Sequence, residues 1–500
     1  MPDRHSFPVL TAEEAASHIN HGATVGFSGF TPAGAAKAVP RALAARAKEF
    51  HGRGEPFSLR VLTGASTGEA LDETLARAEA IQWRAPYASS PTLRKQMNAG
   101  KVDFVDMHLS HVPQAVAEGF FGTMDFAVVE ATDVTPDGRV YLSSSIGASP
   151  TYLKCAKKVI IEINRWHSRR VSELADIMIL PLPPHRSPIP INSVLSKIGW
   201  PYATVDPSRI IGIVETNEPD GVAAFAPPDE ASLGIAANFV DFVLDEMHAG
   251  RIPREFLPLQ SGVGNVANAM MAGLGKNPDI PPFYMYSEVF QDALVDLMES
   301  GKLLGASTTS LTLTEGKLRR LYDNLDFFQP RIVLRPQELS NNPGVVRRLG
   351  VISTNTALEV DIYGHANSTH VCGTSMMNGV GGSGDFTRNA YLSVFMCPSI
   401  AKGGKISTIV PMVTHCDHNE HSVQVVITEQ GVADLRGLSP DERANALISK
   451  CAHPMYRDYL RQYVESSPVG HIRHDLSRCF ELHRNLMQHG SMLPDVVAGR

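Results

Sequence analysis

The sequence predicts an α/β protein with largely parallel sheets, arranged as two similar α/β domains. Three observations carry this. Short β-type runs alternate with helical stretches: ATVGFSGF (23–30), SLRVLTGA (58–65), FAVVEAT (126–132), KKVIIEIN (157–164), RIIGIVET (209–216), GKISTIVPM (404–412) and VQVVITEQG (423–431). That alternation belongs to strand–helix–strand units. Runs such as VIIEI are almost continuously apolar, which suits strands covered on both faces. Finally, GFSGFTPAGAAKAVPRALAA (26–45) and LQSGVGNVANAMMAGL (259–274) share a Ser-Gly pair, a small-residue turn and a helix. A duplicated domain would explain that echo.

The elements follow in order. Thr11, with Glu13 and Glu14 behind it, reads as the cap of a first helix. NEPDGVAAFAPPDEAS (217–232) is rich in Pro, Gly and acids, and an amphipathic helix is expected over about 231–248. The domain division is placed near 225, giving halves 1–225 and 226–500. PPFYMYSEVFQDALVDLMESGKL then opens with a short aromatic run (283–286) and continues with apolar residues at 290, 293, 294, 297 and 298. That spacing is helical. Ser287 is the expected N-cap, so Glu288 falls where a strand's carboxyl end hands over to a helix, the place where open α/β sheets bind ligands. An acid in a first helical turn is favoured by the helix dipole alone. Against that bland account, Met285, Tyr286, Val289 and Phe290 surround Glu288, and apolar company desolvates a carboxylate and makes it a stronger nucleophile.

At 500 residues, 43% hydrophobic and 19% charged, the chain has material for about two to four ordinary soluble domains. A net charge of −7 argues against nucleic acid or an anionic membrane as partner. The N-terminal residues carry no apolar core of a secretion signal, and no apolar run approaches the roughly 18 residues of a membrane span. The six cysteines include no CxxC pair. Reduced thiols in a cytoplasmic protein are the expectation.

Several loops invite chemistry. MNGVGGSGDF (377–386) holds Gly379, Gly381 and Gly384 in a GxGxxG pattern. The dinucleotide fingerprint requires an acid about 20 residues later, and IAKGGKISTIV (400–410) has none, which disfavours an NAD-dependent oxidoreductase. What survives is a run of backbone N–H groups able to approach a ligand closely. SGVGNVAN (261–268) is a second small-residue turn opening a helix, suited equally to a phosphate or to a tight helix–strand contact. THCDHNEH (414–421) offers His415, Cys416, Asp417, His418, Glu420 and His421, but its spacing matches no zinc motif. No metal site is expected there, nor in HANSTH (365–370). SNNPG (340–344) is a turn whose asparagine amides suit an oxyanion.

Taken together, FSGFTPAG, LTGAS, LPLQSGVGNVANA, YSEV, SNNPG, RRLG, DIYGHANSTH, MNGVGGSGDF, AKGGKIS, TEQGVADLRGLSP and CAHPMYRDYL run in an order that closely resembles the acetyl-CoA hydrolase/transferase family of class I coenzyme A transferases. The likeness spans about residues 8 to 494. It implies two CoA-transferase α/β domains with the active site between them, the second carrying the nucleophile. It implies that Glu288 of YSEV is that nucleophile, and that Asn341 and Gly382 stabilise the oxyanion. Val263, Gly264, Asn265, Val266, Ala267, Asn378, Gly382 and Lys402 would hold coenzyme A, which is a substrate; no further cofactor and no metal are implied. The implied activity moves CoA from a short acyl-CoA, propionyl-CoA foremost, to a carboxylate, succinate foremost, through a glutamyl-CoA thioester. Acyl-CoA hydrolysis by the same nucleophile and exchange between succinyl-CoA and acetate are the alternatives. A homodimer is implied as well.

Overall fold

The structure, a computed structural model, describes residues 7–224 and 226–493. Its residues group into two compact units that are not contiguous in sequence. The first holds the described residues up to Ala224 with Tyr284–Leu349 and Asn378–Asp385. The second holds the rest.

The first unit is built on a parallel ladder. Strand Thr24–Phe27 pairs with Leu59–Leu62 on one side and with Phe126–Val134 on the other. Ile81–Ala85 extends one edge, and Lys158–Asn164 and Ile210–Thr216 extend the other, all parallel. The burial of Lys158–Asn164 is complete beyond its first residue, as its apolar run foretells. The strand order reverses at Thr24–Phe27, so the loop leaving that strand, SGFTPAG, occupies a topological switch point. The helix Ala38–Gly52 that follows has no cap from its own N-cap side chain. Instead the buried Glu162 carboxylate accepts from the N–H groups of Lys37, Ala38 and Val39 at 2.7, 3.1 and 2.7 Å. A carboxylate there satisfies orphan donors and complements the dipole. Beneath it Val25, Phe27, Val39, Leu43, Leu59, Val61 and Leu75 are fully buried, each such side chain contributing roughly 1.5–3 kcal/mol.

A second part of this unit has strands in the order Phe283–Tyr286, Leu303–Thr308, Ile332–Leu334, the last two parallel. The short strand Val289–Gln291 pairs with Ser310–Thr312. Here the structure corrects the sequence reading. Ser287 is not an N-cap: the helix begins only at Asp292, behind Gln291, and Glu288 stands on a bend between two strands. The reason is tertiary. Val289, Phe290 and Gln291 gain ladder partners in Ser310, Leu311 and Thr312, which outweighs the local helical spacing that starts at Phe290.

In the second unit, strands Leu259–Ser261, Ile352–Thr356, Leu392–Met396 and Val425–Thr428 form a parallel ladder in sequence order, closed by antiparallel Gly431–Asp434. This matches the run Thr24–Phe27, Phe126–Val134, Lys158–Asn164, Ile210–Thr216 in the first unit, and in both the founding strand leads into the helix of the echoed sequence. The helix expected over 231–248 spans Glu230–His248, capped by Asp229 accepting from Ser232 N–H at 2.8 Å. GKISTIVPM is not one strand. Ile406–Ser407 pairs with Ile400–Ala401 and Ile409–Val410 with Val360–Asp361, and Thr408 between them changes partners, its N–H donating to the Ser399 carbonyl and its carbonyl accepting from the Val360 N–H. Thr11 caps the first helix with Glu14 in a reciprocal capping box. Among the described residues no helix is long and apolar enough to cross a membrane, and all six cysteines are free thiols.

Candidate active site

Glu288 is fixed through its backbone first. Its carbonyl accepts from the Thr308 hydroxyl at 2.6 Å and from the Thr309 N–H at 2.9 Å, while Ser287 N–H donates to the Ser307 carbonyl at 3.0 Å. The flanking Tyr286 and Val289 are buried; Tyr286 is tied by its hydroxyl to the Leu339 carbonyl at 2.5 Å. Val289 packs with Phe30, Ala65 and Leu109, and Tyr87 closes on them. The half-buried Glu288 side chain therefore leaves a rigid, mostly apolar wall.

Two further sequence-predicted residues meet at this carboxylate. Asn341 Nδ2 donates to Glu288 Oε1 at 2.8 Å. An ideal Cβ added to Gly382 would lie only 1.3 Å from Glu288 Oε1 and 2.4 Å from Asn341 Nδ2. A side chain at 382 would therefore push the carboxylate aside, because main chain and carboxylate touch. The SNNPG turn divides its two asparagines. Asn341 ends the helix Gln337–Ser340 and faces Glu288, whereas Asn342 accepts from the N–H groups of Gly344 and Val345 and caps Pro343–Leu349. The orientation of the Asn341 amide is set by its own oxygen, which accepts from the Ser340 hydroxyl at 2.7 Å.

The electrostatics are those of a desolvated acid. Burial first, and the charge of Asp385 second, push the Glu288 carboxyl up to about 8, against a smaller downward pull from the Asn341 hydrogen bond. Burial likewise raises Asp385 to about 7, with the hydrogen bonds from Ser110 and Asn341 opposing. Tyr87 is held above its ordinary value by burial and then by Glu288 and Asp106.

The structure adds residues that the sequence reading did not single out. The glycine loop rests on the segment Asp106–Ser110. Asp106 accepts from Val380 N–H with both oxygens at 2.9 Å. Ser110 donates its N–H and hydroxyl to Asp385 at 3.0 and 2.6 Å. His108 lies so close that a Cβ on Gly384 would meet its Cε1 at 2.2 Å, and a Cβ on Gly379 would meet Asp106 at 2.7 Å. Gly379 and Gly384 are there for close packing and Gly381 for its positive φ of 62°, and only the short helix Ser383–Thr387 follows, unlike a dinucleotide fold. One acid immediately after a glycine run, Asp385, was a readable signal; nothing local marks Ser110 or Asp106.

Of the residues implied for coenzyme A, Gly382 and Asn378 lie in the first unit, where Asn378 Nδ2 donates to the Gly379 carbonyl at 2.9 Å. Val263, Gly264, Asn265, Val266, Ala267 and Lys402 lie in the second. Gly264, at φ 119°, is the N-cap of helix Asn265–Lys276 and supplies no side chain to its orphan N–H groups, and Val263 is exposed. Lys402 is exposed on a short turn. THCDHNEH folds as a paired loop: His418 exchanges main-chain bonds with Ala366, and Asp417 accepts from Ser368 N–H and the Thr369 hydroxyl. Among the described residues the one set of three acidic, His or Cys side chains with ligating atoms close together is Glu130, His167 and Asp220. There Lys37 Nζ already bonds both carboxylates, with Asp220 at 3.2 Å.

Comparison with known proteins shows the family. Residues 4–215 match the acetyl-CoA hydrolase/transferase N-terminal domain and residues 318–464 the corresponding C-terminal domain. The chain is 59% identical to propanoyl-CoA:succinate CoA transferase of Escherichia coli, over 97% of this chain and 98% of that protein. It is 45% identical to succinyl-CoA:acetate CoA-transferase of Clostridium kluyveri, over 97% and 90%. The crystal structure of RipA from Yersinia pestis shares the fold at a TM-score of 0.69 and 24% identity, covering 91% of this chain and 96% of that one. The chain is an enzyme of the acetyl-CoA hydrolase/transferase family of CoA-transferases.

Proposed function

We propose that this enzyme carries CoA from a short-chain acyl-CoA, propionyl-CoA foremost, to a carboxylate, succinate foremost, by ping-pong chemistry on Glu288. The observation that carries the proposal is the contact of one desolvated carboxylate with an amide donor and a side-chain-free main chain. Glu288 attacks the thioester carbonyl and expels CoA thiolate, leaving an acyl–glutamyl anhydride. The thiolate then attacks the glutamyl carbonyl and expels the free acid as a carboxylate. The incoming carboxylate reverses both steps. A carboxylate nucleophile suits this cycle because anhydride and thioester both accept thiolate, whereas the ester of a serine does so poorly. Asn341 Nδ2 and the Gly382 N–H are assigned to the oxyanions, each worth roughly 2.7–4 kcal/mol. The apolar wall of Val289, Phe30 and Leu109 serves to keep water from the intermediates.

For the nucleotide portion, the uncapped start of Asn265–Lys276 offers backbone N–H groups and the positive end of a helix dipole. Val263, Gly264, Asn265, Val266 and Ala267 are assigned to coenzyme A binding, with Asn378, Gly382 and Lys402. A homodimer in the cytoplasm belongs to the same proposal, and light scattering checks the first part.

Intact-mass analysis after mixing with propionyl-CoA tests the reading. A CoA-sized adduct is expected on the 285–292 peptide, discharged by succinate and absent in Glu288→Ala. Turnover without any adduct, together with an active Glu288→Ala, overturns it. Sustained release of free CoA with no acceptor acid would assign hydrolysis instead.

A further inference from the structure

Asn341 presents a single NH2 group to two carboxyl groups. Nδ2 stands 2.8 Å from Glu288 Oε1 and 3.3 Å from Asp385 Oδ2. Asp385 is 2% exposed and is clamped: Oδ2 also accepts from the Ser110 N–H at 3.0 Å, and Oδ1 accepts from the Ser110 hydroxyl at 2.6 Å. The far side of the amide is pinned by Ser340. Neither the amide nor the second acid can turn away without leaving a buried polar group unpaired. The other ionisable groups that the described residues bring near this carboxyl pair include Tyr87, Asp106 and His108. Tyr87 stays neutral through the working range, Asp106 is bound to the Val380 N–H, and His108 packs on Gly384.

We infer that Asp385 is a positioning residue of the Glu288 site: clamped by Ser110, it fixes the Asn341 amide and, as a second carboxylate, opposes a free charge on Glu288 but not a covalently modified Glu288. The inference rests on Glu288 being the nucleophile. Its logic is differential. Free Glu288 carries a negative charge beside Asp385 in a poorly screened interior, and like charges there repel. When CoA thiolate displaces the acid from the anhydride, Glu288 becomes a neutral thioester and the repulsion is gone. Asp385 therefore raises the free enzyme relative to glutamyl-CoA and draws the internal equilibrium toward the covalent form. Protons in such a pair belong to both groups, so a change at Asp385 is read out at Glu288.

The test compares wild type with Asp385→Asn and Ser110→Ala. Asp385→Asn is expected to move the acid limb of the kcat/KM profile for propionyl-CoA to lower pH by about one unit or more. The ratio of glutamyl-CoA to free enzyme, at a fixed mixture of propionyl-CoA and propionate, should fall about tenfold. Ser110→Ala removes a donor that favours the charged form of Asp385, so the limb moves the same way by less. It also carries the test should Asp385→Asn fail to fold. A merely structural role would lower kcat at every pH and leave the limb in place. An unmoved limb, or one shifted upward, in variants that melt like wild type overturns the inference. An adduct in wild type with an unmoved limb defeats this inference alone, whereas no adduct in wild type defeats the nucleophile itself.

Discussion

Gly382→Ala puts one methyl group where the geometry has no room for it. The Cβ would lie 1.3 Å from Glu288 Oε1, 2.4 Å from Glu288 Cδ and 2.4 Å from Asn341 Nδ2. Non-bonded heavy atoms settle at about 3.5–4.0 Å, so the carboxylate or the loop has to retreat by more than an ångström. The loop cannot easily yield, because Asp106 holds Val380 and Ser110 holds Asp385 on either side of Gly382. The carboxylate is the softer partner, and turning it aside breaks the Asn341 bond. A misplacement of about 1 Å at a reacting group costs on the order of 100-fold in rate, and overpacking adds about 1–3 kcal/mol of destabilisation. The expected result is a kcat at least about 100-fold below wild type at saturating propionyl-CoA and succinate, little or no glutamyl-CoA by intact mass, and a circular-dichroism spectrum like wild type. A variant that transfers CoA within a few-fold of wild type would refute the close contact and the role assigned to it.

Asn341→Ala removes a donor without adding bulk, and kcat should fall roughly 10²–10³-fold; steady-state transfer kinetics measure this. The reactive form of Glu288 is its carboxylate, and its carboxyl titrates near 8, so kcat/KM for acyl-CoA should rise with pH up to about 8 and then level off. A flat profile from about pH 6 to 9 would contradict that. Stability should respond with the opposite sign. The folded carboxyl retains its proton up to about 8 while the unfolded one loses it near 4.5, so the wild type loses stability as pH rises through that window. Glu288→Gln buries no charge, and its melting temperature should exceed wild type increasingly across the window. Lys37→Met strands Glu130 and Asp220, both fully buried, and His167, which those two carboxylates hold up at about 9 despite burial, is their remaining cation. Urea unfolding should show a loss of about 3–5 kcal/mol.

Much of this was written in the sequence. Continuous apolar runs become central parallel strands because both faces must be covered, as in Lys158–Asn164. Thr11 and Asp229 cap helices as their residue types dictate. Ordered motifs named Glu288, Asn341 and Gly382. What local pattern misjudged was the exit from Glu288: spacing alone favours a helix at Phe290, and pairing with Ser310–Thr312, about twenty residues away, makes a strand of Val289–Gln291 instead. Only the tertiary structure places Asn341 and Gly382 against one carboxylate, and only it joins Ser110 and Asp385 to them, 275 positions apart. A sequence determines which residues favour strands, caps and turns, since those preferences act over a few bonds. Desolvation, like-charge repulsion and the absence of room for a methyl group act through space, and the fold alone decides them.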